Sequence, residues 1–209
     1  MNFQDRREAG RRLAEELSAY RDADAVVLAL PRGGVPVAFE VARALALPLG
    51  LFLVRKLGTP GQVELALGAI ASGGVRVMNR DVLRQINLTE AQLQQIIDRE
   101  EAELRRRERL YIGDATPISV RQRTVIVVDD GLATGATMRA AVAALRSQAP
   151  RKIVVAVPVG SAESCERLRA EADEVVCLHS PTNFIGVGRW YADFSQTTDA
   201  EVRALMGVS

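Results

Sequence analysis

Two adjacent carboxylates, Asp129 and Asp130, lead directly into Gly131-Leu132-Ala133-Thr134-Gly135-Ala136-Thr137. These residue types in this order can do chemistry. Side-by-side acids grip a pair of hydroxyls or the water shell of Mg²⁺. Glycine lets a backbone approach a ligand closely, and successive loop N–H groups form an anion nest. Thr134 and Thr137 add hydroxyl donors. The stretch thus offers a grip on a diol and, beside it, a cradle for one phosphate. A phosphorylated sugar is the ligand that needs both.

The flanking elements suit that task. Val125 to Val128 is an apolar run that reads as a buried parallel strand. An Ala-rich helical stretch follows, from about Met138 to Gln148. Open α/β sheets bind ligands at the carboxyl ends of their strands, and a helix N-terminus attracts anions. A strand ending in Asp-Asp also suits the metal acid of a P-loop protein, but the chain has no G-x-x-x-x-G-K-[ST]. A phospho-receiver pocket needs a further Asp after a later strand, and that strand ends Val157-Pro158.

Further strand ends carry phosphate-compatible residues. Ala25 to Leu30 reads as a buried strand running into Pro31-Arg32-Gly33-Gly34, and Val35-Pro36 opens a helix. Leu49 to Val54 reads as a second strand ending at Arg55-Lys56. Lys152–Val157 and Glu174–Leu178 read as later strands, with a helix Ala162–Ala172 between them. This alternation predicts an α/β fold: a three-layer α/β/α arrangement around a mostly parallel, twisted sheet.

Other segments frame that core. Asp5 to Tyr20 reads as an amphipathic helix with Asp5 and Glu8 in capping-box positions. Gly58 to Gly74 is glycine-rich and includes Pro60 and Gly61; Glu64–Ile70 and Val75–Asn79 read as a hairpin around Ser72-Gly73-Gly74. Leu88 to Tyr111 reads as a long helix with a Thr89/Gln92 capping box and a Leu93, Ile97, Leu104, Tyr111 stripe. Its Arg105-Arg106-Arg107 run has i,i+4 acids, Glu101 and Glu103, and reads as a solvated face. The helix is a candidate lid buttress or homo-oligomer contact, and the sequence leaves the two open. After Ser180 the chain gathers Phe184, Trp190, Tyr191 and Phe194, although only 4% of it is aromatic. Thr198 and Glu201 cap a last short helix. The expected organisation is a core over 1–179, with a loop or hairpin at about 57–79 and a helical insertion at about 80–112, and a C-terminal hood over 180–209.

The 209 residues are 48% hydrophobic and 25% charged, the profile of a globular α/β domain. With 27 basic against 26 acidic residues, the net charge of +1 argues against DNA and membrane partners. Cys165 and Cys177 lack C-x-x-C spacing and read as reduced thiols; with no apolar leader at the start, the expected compartment is the cytoplasm.

Val125–Thr137 resembles the signature of type I phosphoribosyltransferases, which bind 5-phosphoribosyl-1-pyrophosphate (PRPP). The resemblance implies that Asp129 and Asp130 hold the ribose hydroxyls. Ala133, Thr134, Gly135, Ala136 and Thr137 match the loop for the 5′-phosphate. Pro31 to Gly34 resembles the pyrophosphate loop, with Arg32, Gly33 and Gly34 as its ligands; some members have a non-prolyl cis peptide there, and the matching bond is Pro31–Arg32. Arg55 and Lys56 match a basic position facing pyrophosphate. The glycine-rich segment matches a mobile loop that closes over the reaction. The hood contacts the base, with Phe184 stacking and Ile185 backbone groups reading its edge. Ala136 stands where many members have a second Gly. Ala133 stands where 6-oxopurine enzymes have an Asp, so the chain resembles the adenine and uracil branches more.

The implied activity is Mg²⁺-dependent transfer of phosphoribose from PRPP to a small nitrogenous acceptor, with no metal ligated directly by the protein alone. Two alternatives stay open: a PRPP-sensing regulator of the RNA-binding type, and an enzyme using PRPP on a non-nucleobase acceptor.

Overall fold

A computed structural model describes residues 2–59, 62–86, 88–113 and 118–208, with backbone only for 62–65. Pro60, Gly61 and the side chain of Glu64 lie outside the described residues.

The main sheet has five strands in the order β2 (Leu49–Leu51), β1 (Ala25–Ala29), β6 (Thr124–Val128), β7 (Lys152–Val159) and β8 (Glu174–His179). Every neighbouring pair is parallel. Side chains alternate between the two faces of a strand, so each apolar run feeds two cores. Val27, Ala29, Ile126, Val128 and Val154 pack on the side of α1 (Arg6–Glu16) and α2 (Gly34–Leu45). Val26, Leu28, Val125, Val127 and Val155 pack on the side of α5 (Ala136–Arg146) and α6 (Ala162–Arg169). This is the three-layer architecture read from the sequence. Ala29 lies opposite Val128, and Val128 opposite Ala156, so the loops after β1, β6 and β7 open side by side.

One strand differs from expectation. The stretch 49–54 is not one strand ending at Arg55-Lys56. The chain leaves the main sheet after Leu51, its last bond there running from Phe52 N–H to the Ala29 carbonyl. Ser72 then captures it, donating its amide to Leu53 O while its hydroxyl accepts from Leu53 N–H. From there β3 (Val54–Thr59), β4 (Gln62–Ala71) and β5 (Val75–Met78) form a separate antiparallel sheet. Gly73 and Gly74 make the β4–β5 turn at φ of 80° and 75°, where any side chain is strained.

A short helix, α3 (Arg80–Gln85), precedes the long one and is capped by Asn79. The long helix α4 (Glu90–Tyr111) carries the expected Thr89/Gln92 capping box. Its Ile97, Leu104 and Tyr111 are buried, and Arg105 and Arg107 pair with Glu101 and Glu103. The first helix is shorter than expected; a 3-10 turn at Ser18–Tyr20 follows it. Asp5 caps it, but Glu8 accepts from Gln4 N–H rather than closing a box on Asp5.

The tail returns to the N-terminus. Phe3 forms a parallel bridge with Tyr191, and Phe3, Ala9, Val159 and Tyr191 make a third small core. Thr198 caps the last helix, α7 (Asp199–Met206).

Candidate functional site

Asp129 and Asp130 emerge where β6 ends. Asp129 turns inward, and its Oδ1 accepts the Asp130 N–H at 2.8 Å. Asp130 turns toward the N-terminal helix, where its Oδ2 accepts from Arg6 Nε at 2.8 Å. The Tyr191 hydroxyl donates to the Asp130 carbonyl at 2.6 Å. Burial and the neighbouring Asp130 charge push the Asp129 carboxyl well above the usual range. Burial also raises Asp130, opposed by the Arg6 guanidinium.

The 31–34 loop lies directly on these acids. A Cβ on Gly33 would stand 2.0 Å from Asp130 Oδ2, and one on Gly34 would stand 2.7 Å from the Val128 carbonyl. Both glycines are therefore required by close packing. The Gly34 amide donates to the Leu30 carbonyl, so it closes the turn. The Pro31–Arg32 bond is cis, at the position the sequence indicated. Arg32 reaches Asp199 at 3.4 Å, and Asp199 Oδ1 also accepts from the Tyr111 hydroxyl.

The Gly131–Thr137 loop is shaped by the next strand and helix. Leu132 bridges to Gly160, and the hydroxyls of Ser161 and Ser164 both donate to the Ala133 carbonyl, at 3.1 and 2.6 Å. Gly135, at φ 70°, precedes α5 and has no side chain to cap it, while Thr134 Oγ1 accepts the Ala136 N–H at 3.4 Å. Ala133, Thr134 and Thr137 are exposed, Ala136 half-buried. A helix start whose later amides have no side-chain cap, with exposed hydroxyls beside it, is suited to an anion.

Arg55 and Lys56 do not act as one cationic pair at a strand end. They are successive residues within β3 and face opposite sides of it. Arg55 lines a crevice with Pro31, Leu104, Arg107 and Thr137, and its Nε donates to Glu100 at 2.9 Å. In the hood, Phe184 is half-buried against the third core, and Ile185 is 69% exposed. His179 stacks edge-on with Trp190 at 4.6 Å. A larger hollow of about 650 Å³ lies beside β2 and the Gly73-Gly74 turn, away from the acids.

Among the described residues, no three His, Cys, Asp or Glu side chains converge to hold a metal ion. Two carboxylates, one tied to Arg6, suit an ion that keeps its waters and takes substrate oxygens.

The family model described as "Phosphoribosyl transferase domain" matches residues 2–193. The chain belongs to the phosphoribosyl transferase family. It is 47% identical, over 98% of its length, to the Mycobacterium tuberculosis H37Rv protein named "Putative phosphoribosyl transferase Rv0571c", and spans 46% of that relative. The structure of TT1426 from Thermus thermophilus is 46% identical, covers 99% of this chain and 98% of its own, and superposes with a TM-score of 0.91. The AQ2163 protein of Aquifex aeolicus, at 12% identity and a TM-score of 0.50 over 84% of this chain and 74% of its own, shares the fold.

In this family member the structure brings Asp129, Asp130, Gly33 and Gly34 together and sets the Gly135 helix start at the same sheet edge. Four contributors are not legible in the sequence. Arg6 holds Asp130 and lies 4.0 Å over the Phe194 ring. Tyr191 fixes the Asp130 backbone. Ser161 and Ser164 fix Ala133. Only Ser161 gave a local signal, as the N-cap of α6.

Proposed function

We propose that this chain transfers a 5-phosphoribosyl group from PRPP to a ring nitrogen of a small nitrogenous acceptor, a nucleobase by preference, releasing pyrophosphate. The observation that carries this reading is the placement of Asp129 and Asp130 between two loops. On one side the 31–34 turn packs on their carboxylates; on the other the chain runs into the start of α5 at Gly135. A ribose held by its diol at the acids has its 5′-phosphate directed to the loop 133–137.

In the proposed reaction the acceptor nitrogen attacks C1 of the ribose as the C1–oxygen bond to pyrophosphate breaks. The electron pair leaves with pyrophosphate, and C1 inverts through an oxocarbenium-like state. The chain's task is to hold geometry and to meet the leaving charge. Asp129 and Asp130 hold the 2′- and 3′-hydroxyls. Arg32 and Arg55 face the leaving group. Asp129 and Asp130 would hold Mg²⁺ through its water shell, and the ion would supply further charge neutralisation. The exposed Ile185, next to Phe184, offers apolar surface for the acceptor.

Ala133 places no acid beside the acceptor, which favours adenine- or uracil-like acceptors over 6-oxopurines. The test is a panel of bases and amines scored for PRPP- and magnesium-dependent pyrophosphate release. Release with one base class supports the reading; PRPP binding without release on any acceptor replaces it with a sensor.

A further inference from the structure

The sequence marks Arg105-Arg106-Arg107 as a solvated run, yet the three arginines do not share an environment. Arg105 and Arg106 are more than half exposed, at 59% and 56%, whereas Arg107 is 33% exposed. Helical spacing from Glu100 explains this. Glu100, Leu104, Arg107 and Tyr111 fall at three- and four-residue steps on one face of α4. That face touches the candidate site at each step. Glu100 holds Arg55, Leu104 and Arg107 line the crevice with Pro31 and Thr137, and Tyr111 donates to the Asp199 that holds Arg32.

Arg55 and Arg107 line this crevice and Arg32 follows its Pro31; the three guanidiniums share one arrangement. Each rests on an acid that has a second partner. Glu100 also pairs with Arg99 at 3.1 Å. Glu103, which holds Arg107 at 2.8 Å, also takes two bonds from Arg106 at 2.8 and 3.0 Å. Asp199 keeps the Tyr111 hydroxyl. An incoming polyanion that draws off Arg55, Arg107 or Arg32 therefore strands no carboxylate without a donor. Breaking a pair is costly chiefly when one charge is left buried and alone. Here that cost is removed in advance.

We propose that Arg107, supplied by helix α4, is a diphosphate ligand of this site and completes with Arg32 and Arg55 a three-guanidinium cradle for the leaving group. The assignment rests on the proposed function for the identity of the anion. Guanidinium forks match phosphate oxygens bidentately, and three of them suit a group carrying several charges. In this reading the single phosphate of ribose 5-phosphate is held at the 133–137 loop, which touches the crevice at Thr137 alone. Arg107 thus acts on leaving-group affinity and not on sugar affinity.

The test is calorimetry of the whole chain with magnesium diphosphate and, separately, with ribose 5-phosphate. Arg107→Gln is compared with Arg105→Gln, which makes the same charge change on the same helix. The expected result is diphosphate binding about tenfold or more weaker in Arg107→Gln, with ribose 5-phosphate binding unchanged. Arg105→Gln matches the unaltered chain for both ligands. Arg107→Lys, which keeps the charge opposite Glu103 but not the fork, falls between the two and carries the reading if the Gln variant folds poorly. Equal diphosphate affinity in the Arg107 and Arg105 variants overturns the proposal, as does a parallel loss of both ligands in Arg107→Gln. If the unaltered chain binds neither PRPP nor diphosphate, the phosphoribosyl transfer reading itself falls, a result distinct from either of these.

Discussion

Arg6 and Asp130 lie 124 positions apart in the chain and meet at 2.8 Å, with only 11% and 16% of their side chains exposed. The pair ties the first turn of α1 to the end of the central strand. Phe194, against whose ring the guanidinium rests, and the Ser195 carbonyl, which accepts from Arg6 Nη1, join the tail to the same point. The acid expected to hold ribose is thus positioned by both ends of the fold.

Removing Arg6 tests that dependence. Arg6→Leu leaves a mostly buried carboxylate without its cation, and the expected loss at neutral pH is about 2–3 kcal/mol, somewhat below the cost for a fully buried pair. The Arg6 bond lowers the Asp130 pKa, so its stabilisation is present when Asp130 is charged and fades as pH falls through the folded Asp130 value. Chemical denaturation at neutral and acid pH checks this: the deficit of Arg6→Leu shrinks in acid.

At Asp129 burial dominates. Burial and the Asp130 charge raise its folded pKa well above the unfolded value. Between those two values the folded chain binds more protons than the unfolded chain, so this group makes stability fall as pH rises through the window. Asp129→Asn removes the liability. The variant is expected to melt higher than the unaltered chain at neutral pH, with the difference vanishing in acid, while PRPP binding is lost. Melting curves across the pH range provide the check.

Gly33 should tolerate no side chain. A Cβ there meets Asp130 Oδ2 at 2.0 Å, so Gly33→Ala must displace the acid or the loop. A displacement of about 1 Å at reacting groups costs on the order of 100-fold in turnover. Gly186 has nothing within 4 Å of the added carbon, and Gly186→Ala is expected to be silent. Turnover of the two alanine variants side by side separates site packing from a general dislike of substitution.

Tyr191→Phe removes one hydroxyl and keeps the ring against Phe3 and Phe194, at 5.5 and 5.1 Å. Its bond to the Asp130 carbonyl is lost, and about 1 kcal/mol of stability with it. Denaturant midpoints measure that change. A larger loss in PRPP affinity than in stability would indicate that the hydroxyl aims Asp130 as well as bonding it.

What the sequence made legible was local. The strand–Asp-Asp–small-residue order, the Thr89/Gln92 box and the Glu103–Arg107 pair all rest on residues a few positions apart. What it hid was non-local. Arg6 has no neighbour in sequence that announces Asp130. The break between β2 and β3 depends on Ser72 capturing Leu53 from 19 residues away. Arg107 showed its helical acid but not the crevice, because the facing of a helix is set by docking. The resemblance makes Gly33 and Gly34 pyrophosphate ligands, whereas the packing of the acids beneath them already demands glycine.

The central claim is that Asp129 and Asp130 grip a ribose whose phosphate rests at the start of α5. Calorimetry of PRPP with magnesium, on the unaltered chain and on Asp130→Asn, tests it most directly. The account predicts saturable uptake by the unaltered chain and affinity weaker by roughly 100-fold in Asp130→Asn. No heat from the unaltered chain, or equal affinity in the two proteins, would contradict it.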